Sequence, residues 1–222
     1  MHLAVAATQM EMDAFKRFAH TADERPELLV SGVGPMESGI TLSRYLERHH
    51  TKLRTVVNFG IGGAYFSSED TQLDLLDLCL ARREVLGDFG ICYEDTVEPF
   101  GQHAFPAPSV FELDPDLLDE ASSALNAGRL SPAVGTFVTV NGASGRKVRG
   151  DFFAARYQAI CENMEGAAVA RVCQLFEIPL LEVRAISNLV EDRPGDDWPI
   201  AEAAARAAQA AALIIDRFGD IL

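Results

Sequence analysis

Two stretches of this chain carry residue types that could do chemistry together. Asn163-Met164-Glu165-Gly166-Ala167-Ala168 sets a carboxylate at the opening of an apolar helix, and Arg184-Ala185-Ile186-Ser187-Asn188 ends an apolar strand in a hydroxyl and an amide. A carboxylate accepts from paired hydroxyls such as those of a ribose, and a carboxamide both donates and accepts, so it can read a purine edge. Together they suggest a nucleoside site. Each also has a plainer reading. Glu165 can simply complement the positive end of its own helix, and Ser187-Asn188 can be a strand-end turn.

Other segments have the same double character. Met10-Glu11-Met12-Asp13 follows the first apolar run and opens a helix, where acids are favoured by the helix dipole as well as useful to catalysis. Asn58-Phe59-Gly60-Ile61-Gly62-Gly63 lets backbone amides approach a ligand, with Gly62 the central contact, or merely avoids clashes at a turn. Gly32-Val33-Gly34 with Gly39 lacks the spacing of a dinucleotide loop and reads as a tight turn near a ligand or a neighbour. Trp198, the single tryptophan, follows a polar loop and either joins the core or covers a ligand. That loop, residues 191–197, has the composition of a mobile segment.

The elements that must position these residues alternate. The pattern predicts strands over 3–8, 28–31, 55–59, 133–140, 159–161 and 180–186, with two further strands or a strand pair within 73–86. Helices are expected over 11–19, from Pro35 to about His49 (closed by His49-His50), over 114–125 with Asp114 as cap, over 165–177 and over 200–218. Residues 87–115 read as loop. Ile40, Leu42, Tyr45 and Leu46 are expected on the inner face of the second helix. Such alternation argues for an α/β fold in one domain spanning 1–222, with a mostly parallel or mixed sheet between helices. In such sheets ligands gather at the carboxyl ends of strands, which is where Thr8–Asp13, Ser31–Gly34, Gly60–Gly63 and Ser187-Asn188 fall.

Composition narrows the partners. A formal charge of -14 disfavours nucleic acid and anionic membrane, both of which need basic patches. A small soluble substrate fits better. Cys79, Cys92, Cys161 and Cys173 form no Cys-x-x-Cys pair and read as reduced core thiols of a cytosolic protein. The histidines lack zinc spacing, so no metal and no cofactor is expected. The apolar opening is too short for a signal or transmembrane segment.

Met164-Glu165 and the run Val183-Arg184-Ala185-Ile186-Ser187-Asn188-Leu189-Val190, followed by Arg193 and Trp198-Pro199-Ile200, resemble the nucleoside phosphorylase and nucleosidase superfamily. Within it they most resemble the futalosine hydrolase branch. The resemblance implies a three-layer α/β/α sandwich with a mixed, partly barrel-like sheet, and a homo-oligomer, a dimer favoured. It implies that Glu165 binds ribose hydroxyls, that Met164, Ser187 and Trp198 contact the substrate, and that an acid after the first strand activates water. Asp13 aligns with that acid, with Glu11 as the substitute. Relatives carry Ser-Asp where this chain has Ser187-Asn188. A neutral amide can donate to a purine O6 and accept from a protonated N7, so Asn188 favours hypoxanthine over adenine, an adenine-releasing nucleosidase being the first alternative and a purine nucleoside phosphorylase or a non-catalytic purine-binding protein the second. Phosphorolysis needs cations around phosphate, and the glycine segment carries no arginine. Arg146, Lys147 and Arg149 read as a solvated cluster at a helix start, with the carboxylate of a substrate as the other possibility.

Overall fold

A computed structural model describes residues 1–19, 25–66, 73–100, 107–192 and 198–221. Among these residues, ten strands and six α-helices are ordered β1 (His2–Ala6), α1 (Gln9–Phe18), β2 (Glu27–Val30), α2 (Pro35–His49), β3 (Thr55–Ala64), β4 (Leu78–Leu86), β5 (Gly90–Cys92), β6 (Val97–Pro99), β7 (Val110–Glu112), α3 (Pro115–Ala127), β8 (Ala133–Thr139), α4 (Lys147–Tyr157), β9 (Ala159–Asn163), α5 (Gly166–Leu175), β10 (Leu180–Leu189) and α6 (Ile200–Ile221). The helix ends follow the chemistry of the sequence. Thr8 and Glu11 form a reciprocal capping box on α1. Asp114 accepts from the amides of Asp116 and Leu117, with Pro115 in the first turn of α3. His50 Nδ1 lies 2.9 Å from the Leu46 carbonyl and closes α2.

The sheet curls on itself. β3, β10, β4, β8 and β9 pair in a ring, β3 with β10 and β9, β4 with β10 and β8, and β8 with β9. β1 and β2 continue outward from the first half of β3, and β7 adds to β4. Strand directions are mixed: β3 runs parallel to β1 and β10 and antiparallel to β9. Helices cover both faces. α1, α3 and α6 share one core with Met12, Phe15, Leu117, Leu125 and Ile215. α2 and α5 share the other, with Leu42, Leu46, Val169 and Cys173. Most alanines of α6, among them Ala203, Ala207 and Ala211, are buried, so small side chains let this long helix lie close to the sheet.

Several expectations change. The glycine segment is not a turn after a strand: β3 continues through it to Ala64, paired with β10 along its length and with β9 at Gly63 and Ala64. The glycines are there because facing side chains need the room. A Cβ on Gly60 would lie 2.6 Å from Glu11 Oε1, and one on Gly62 would lie 2.6 Å from Cys161 Sγ. Residues 73–86 hold one strand rather than two. The loop expected over 87–115 contains three short strands among its described residues. Ile40 faces solvent while Leu42 and Leu46 are buried. Ser187 and Asn188 lie inside β10, at a β-bulge where the register against β3 jumps from Ile186 to Asn188. Of the loop expected to be mobile, residues 193–197 lie outside the described residues.

Cys79, Cys161 and Cys173 are buried free thiols and Cys92 is exposed. Burial pushes the Cys161 and Cys173 thiols up, which makes them poor nucleophiles. No described helix is long and apolar enough to cross a membrane.

Candidate active site

The carboxyl ends of β1 and β3, the bulge of β10 and the exit of β9 converge on one cavity of about 210 Å³. Thr8, Met10, Glu11, Gly62, Met164, Glu165, Arg184, Ser187, Asn188 and Trp198 are among its walls. Of the residues expected at the site, Gly62, Met164, Glu165, Ser187, Asn188 and Trp198 are therefore brought together. Asp13 is not.

The geometry corrects the placement of Asp13. Its carboxylate is on the exposed side of α1, 2.9 Å from Lys16 Nζ and 2.7 Å from Gln9 Nε2. Those two neighbours hold it below the usual carboxylate range, so it is also a weak base. Glu11, two residues earlier, points the opposite way around the helix and is buried. Its Oε2 accepts from the Thr8 amide at 2.9 Å and the Thr8 hydroxyl at 2.7 Å, and its Oε1 accepts from the Ile61 amide at 3.1 Å. A carboxylate offers about four acceptor positions. Three are occupied, leaving one on Oε1 for a ligand or a water.

Glu165 caps the start of α5 and is 4% exposed. Its Oε1 accepts from the Gly34 amide at 3.1 Å and its Oε2 from Arg184 Nη1 at 3.2 Å. Gly32 and Gly34 have φ of 87° and 93°, a backbone that glycine adopts without strain. The tight turn thus approaches a neighbour, Glu165, and Val33 within it lines the cavity. Two acceptor positions of Glu165 remain for a ligand's hydroxyls.

Arg184 holds the constellation together, and the sequence alone assigned it no role. It is 2% exposed. Nε donates to Glu182 Oε1 at 2.9 Å, and Nη2 lies 2.9 Å from the same residue. Nη1 reaches Glu165 and the Ile61 carbonyl at 3.1 Å. Burial works against its charge, but Glu182, Glu165 and Glu11 outweigh burial and push its pKa up. The signal for it was present: Glu182 and Arg184 are two charges on one face of an otherwise apolar strand.

At the other end of the cavity the bulge aims the amide of Asn188. The Ser187 hydroxyl lies 3.0 Å from Asn188 Oδ1 and 3.3 Å from the Gly62 carbonyl. A Cβ on Gly63 would come within 3.0 Å of Asn188 Nδ2, so the facing glycine leaves the amide its place. Glu162, also missed in the sequence, accepts from the Ser144 amide at 2.8 Å, the Ser144 hydroxyl at 2.6 Å and the Tyr65 phenol at 3.0 Å. It pins the segment whose Ala143 lines the cavity.

The basic cluster stays outside. Arg146 pairs with Asp95 at 2.9 Å, Lys147 with Asp151 at 2.6 Å, and Arg149 donates to the Gly142 carbonyl at 2.6 Å. None of the three lines the cavity. Among the described residues no group of three or more histidines, cysteines or acids is arranged to hold a metal ion.

The crowding at Gly60 gives a first prediction. Its absent Cβ would also lie 2.9 Å from Arg184 Nη1. Gly60→Ala is expected to cost about 1–3 kcal/mol by overpacking and to lower turnover by displacing Glu11. Chemical denaturation and steady-state kinetics check both; a variant with unchanged stability and rate would mean that the cleft yields easily.

The Phosphorylase superfamily profile matches residues 7–219. A 5'-methylthioadenosine/S-adenosylhomocysteine nucleosidase of Mycobacterium bovis is 29% identical over 197 residues, 78% of this chain and 73% of that one. A futalosine hydrolase of Thermus thermophilus is 31% identical over 190 residues, 82% of this chain and 77% of that one. Among solved structures, the 5'-methylthioadenosine/S-adenosylhomocysteine nucleosidase of Helicobacter pylori superposes with a TM-score of 0.81 at 20% identity, covering 97% of each chain. The ringed sheet, the cavity and these matches lead to one conclusion: the chain belongs to the phosphorylase superfamily and is one of its nucleosidases, an N-glycosyl hydrolase.

Proposed function

We propose that this enzyme hydrolyses futalosine, releasing hypoxanthine and dehypoxanthine futalosine, as a cytoplasmic step of menaquinone biosynthesis. The observation that carries the reading is the neutral carboxamide of Asn188, held beside Ser187 at the cavity wall. N-glycosidic cleavage leaves negative charge on the departing purine and positive charge on the ribosyl carbon. Asn188 donates to O6 and accepts from protonated N7 of a 6-oxopurine. Glu165 accepts from the ribose 2′- and 3′-hydroxyls, and its charge favours the oxocarbenium-like ribosyl. Glu11 takes the role first expected of Asp13: it orients the attacking water and receives its proton. Met164 and Trp198 form apolar walls. Water rather than phosphate is the nucleophile in this reading, because Glu11, Glu162 and Glu165 surround the cavity while Arg184 is already engaged by carboxylates. The buried free thiols fit a reducing compartment. A homodimer belongs to the reading as well: Val33 at the cavity wall and Met36 and Ile40 on α2 are at least half exposed, and light scattering in solution tests it.

The second reading is an adenine-releasing nucleosidase, favoured by the similarity to the Mycobacterium enzyme. A nucleoside panel decides. Futalosine, methylthioadenosine and aminodeoxyfutalosine are incubated with enzyme, with and without phosphate, and the free base is identified. Futalosine is expected to be cleaved fastest and without phosphate. Faster release of adenine would overturn the assignment, and strict dependence on phosphate would replace water as nucleophile. Asn188→Asp is expected to shift the ratio of kcat/KM toward 6-aminopurines by roughly tenfold to a hundredfold, the cost of one mismatched buried polar group.

A further inference from the structure

Beneath the site lie two carboxyls that the mechanism above leaves unused. Glu84 on β4 and Glu182 on β10 are both 0% exposed. Their carboxyl groups meet beside Gly166. A Cβ on Gly166 would collide with Glu84 Oε1 and lie 2.6 Å from Glu182 Oε2, so both oxygens occupy the same small space under the start of α5. Glu182 Oε1 faces Arg184, but its Oε2 is buried with no N–H or neutral hydroxyl donor among the described residues. Two ionised carboxylates cannot be this close in a dry interior, and a buried acceptor without a donor is costly. One proton between them removes both difficulties.

The geometry points to Glu84 and Glu182 as a carboxyl pair sharing a single proton, donated from Glu84 Oε1 to Glu182 Oε2, that positions Arg184 and Asn163 and through them Glu165. The positioning role rests on the function proposed for Glu165. Both routes can be followed atom by atom. Glu182 passes its full charge through Oε1 to Arg184, whose Nη1 holds Glu165 Oε2. Glu84 Oε1 accepts from Asn163 Nδ2 at 2.5 Å, and Asn163 Oδ1 in turn accepts from the amides of Glu165 at 3.0 Å and Gly166 at 2.7 Å. Thr139 Oγ1 lies 2.8 Å from Glu84 Oε2 and accepts from the Ala167 amide at 2.7 Å. The protonated carboxyl is therefore tied to both the backbone and the side chain of Glu165.

The surrounding groups favour the proton. Burial, then the charge of Glu182, push the Glu84 carboxyl well above its ordinary range, against smaller opposing pulls from Thr139, Asn163 and Arg184. Burial also raises Glu182, offset in part by Arg184. The other titratable groups facing the pair are Arg184, Glu165, Cys161 and Cys173, and the Glu165 carboxylate adds negative charge. A folded-state pKa raised above its unfolded value gives stability that is fully present below the ordinary glutamate value of about 4.3. That contribution falls away as the pH rises toward and through the raised pKa.

The test has a substrate-free arm and a kinetic arm. Infrared spectra of the protein alone at about pH 8, where ordinary carboxyls are ionised, are expected to show the C=O stretch of one protonated carboxyl in the wild type. Glu84→Gln and Glu182→Gln, whose amides replace the shared proton, are each expected to lack it. Absence of the band in the wild type, or its persistence in E84Q, would overturn the shared proton whatever the substrate proves to be. In the kinetic arm, with the best nucleoside of the panel, Glu84→Ala is expected to lower kcat/KM about tenfold or more. E84Q should restore most of that loss and abolish the alkaline limb of the wild-type profile. Equal losses in E84A and E84Q, or an alkaline limb unchanged in E84Q, would overturn the positioning role, and the E84Q comparison stands even if E84A fails to fold.

Discussion

Glu11→Ala is expected to lower kcat by about 10²–10⁴-fold, while Asp13→Ala changes it by no more than about twofold. The contrast matters because the two acids are two residues apart and only one meets the cavity. Glu11 is held by Thr8 and Ile61 with one acceptor position left over. Asp13 spends its carboxylate on Lys16 and Gln9 at the surface. Alanine at position 11 also removes one side of the α1 capping box, worth about 1 kcal/mol. Glu11→Gln, which keeps an acceptor for the Thr8 donors, separates that cost from catalysis. Turnover measured beside thermal unfolding gives the answer. If E11Q kept wild-type kcat, water activation would have to be reassigned.

Glu165→Gln carries the second large effect, a fall in kcat of about 10²–10³-fold, with the protein still folded. Glutamine keeps the volume, and one amide oxygen can still accept from Gly34 or Arg184. In the proposed mechanism, what it loses is the charge that would face the ribosyl carbon and the pairing with both ribose hydroxyls. Removing one partner of a buried ion pair ordinarily costs about 3–5 kcal/mol. Arg184 retains Glu182 at 2.9 Å, so the stability loss should fall below that range. Near-wild-type turnover in E165Q would exclude the ribose role. A fall in kcat with little change in KM would show that the charge acts mainly in the transition state.

The order of the longer strands and of α1, α2, α3, α5 and α6 was legible in the sequence because their apolar periods and caps are unambiguous, whereas the three-residue β5, β6 and β7 are too short to show a period and only the start of α4 was expected. Asp114-Pro115 opens α3 and Pro35 opens α2, as read. The glycine stretch of β3 was not, since glycine usually interrupts a strand, whereas here it accommodates Glu11 and Cys161 arriving from other elements. That tertiary crowding has no local signature. The site was legible at its ends, Glu165 and Asn188, because each sits at a junction of helix or strand with a polar group. The middle was harder. Glu11 could have been preferred to Asp13 on local grounds: it completes a Thr-x-x-Glu capping box and shares a helix face with Phe15, while Asp13 falls beside Lys16 and Arg17. Glu84 and Asn163 meet only because β4, β8 and β9 are neighbours in the ring, a long-range fact that no window of sequence contains.

The bulge at Ser187 separates two tasks that a regular strand would have fused. On the proposed reading, Glu182 and Arg184 serve the sugar end from the regular part of β10, and Asn188 serves the base end from beyond the jump in register. Evolution can therefore alter which heterocycle departs by exchanging one amide for an acid, without disturbing the apparatus that breaks the bond. The jump sets Asn188 opposite Gly63, three steps along β3 from the Gly60 that faces Arg184, so an unbulged pairing of the same residues would return the amide to the face that Arg184 already fills.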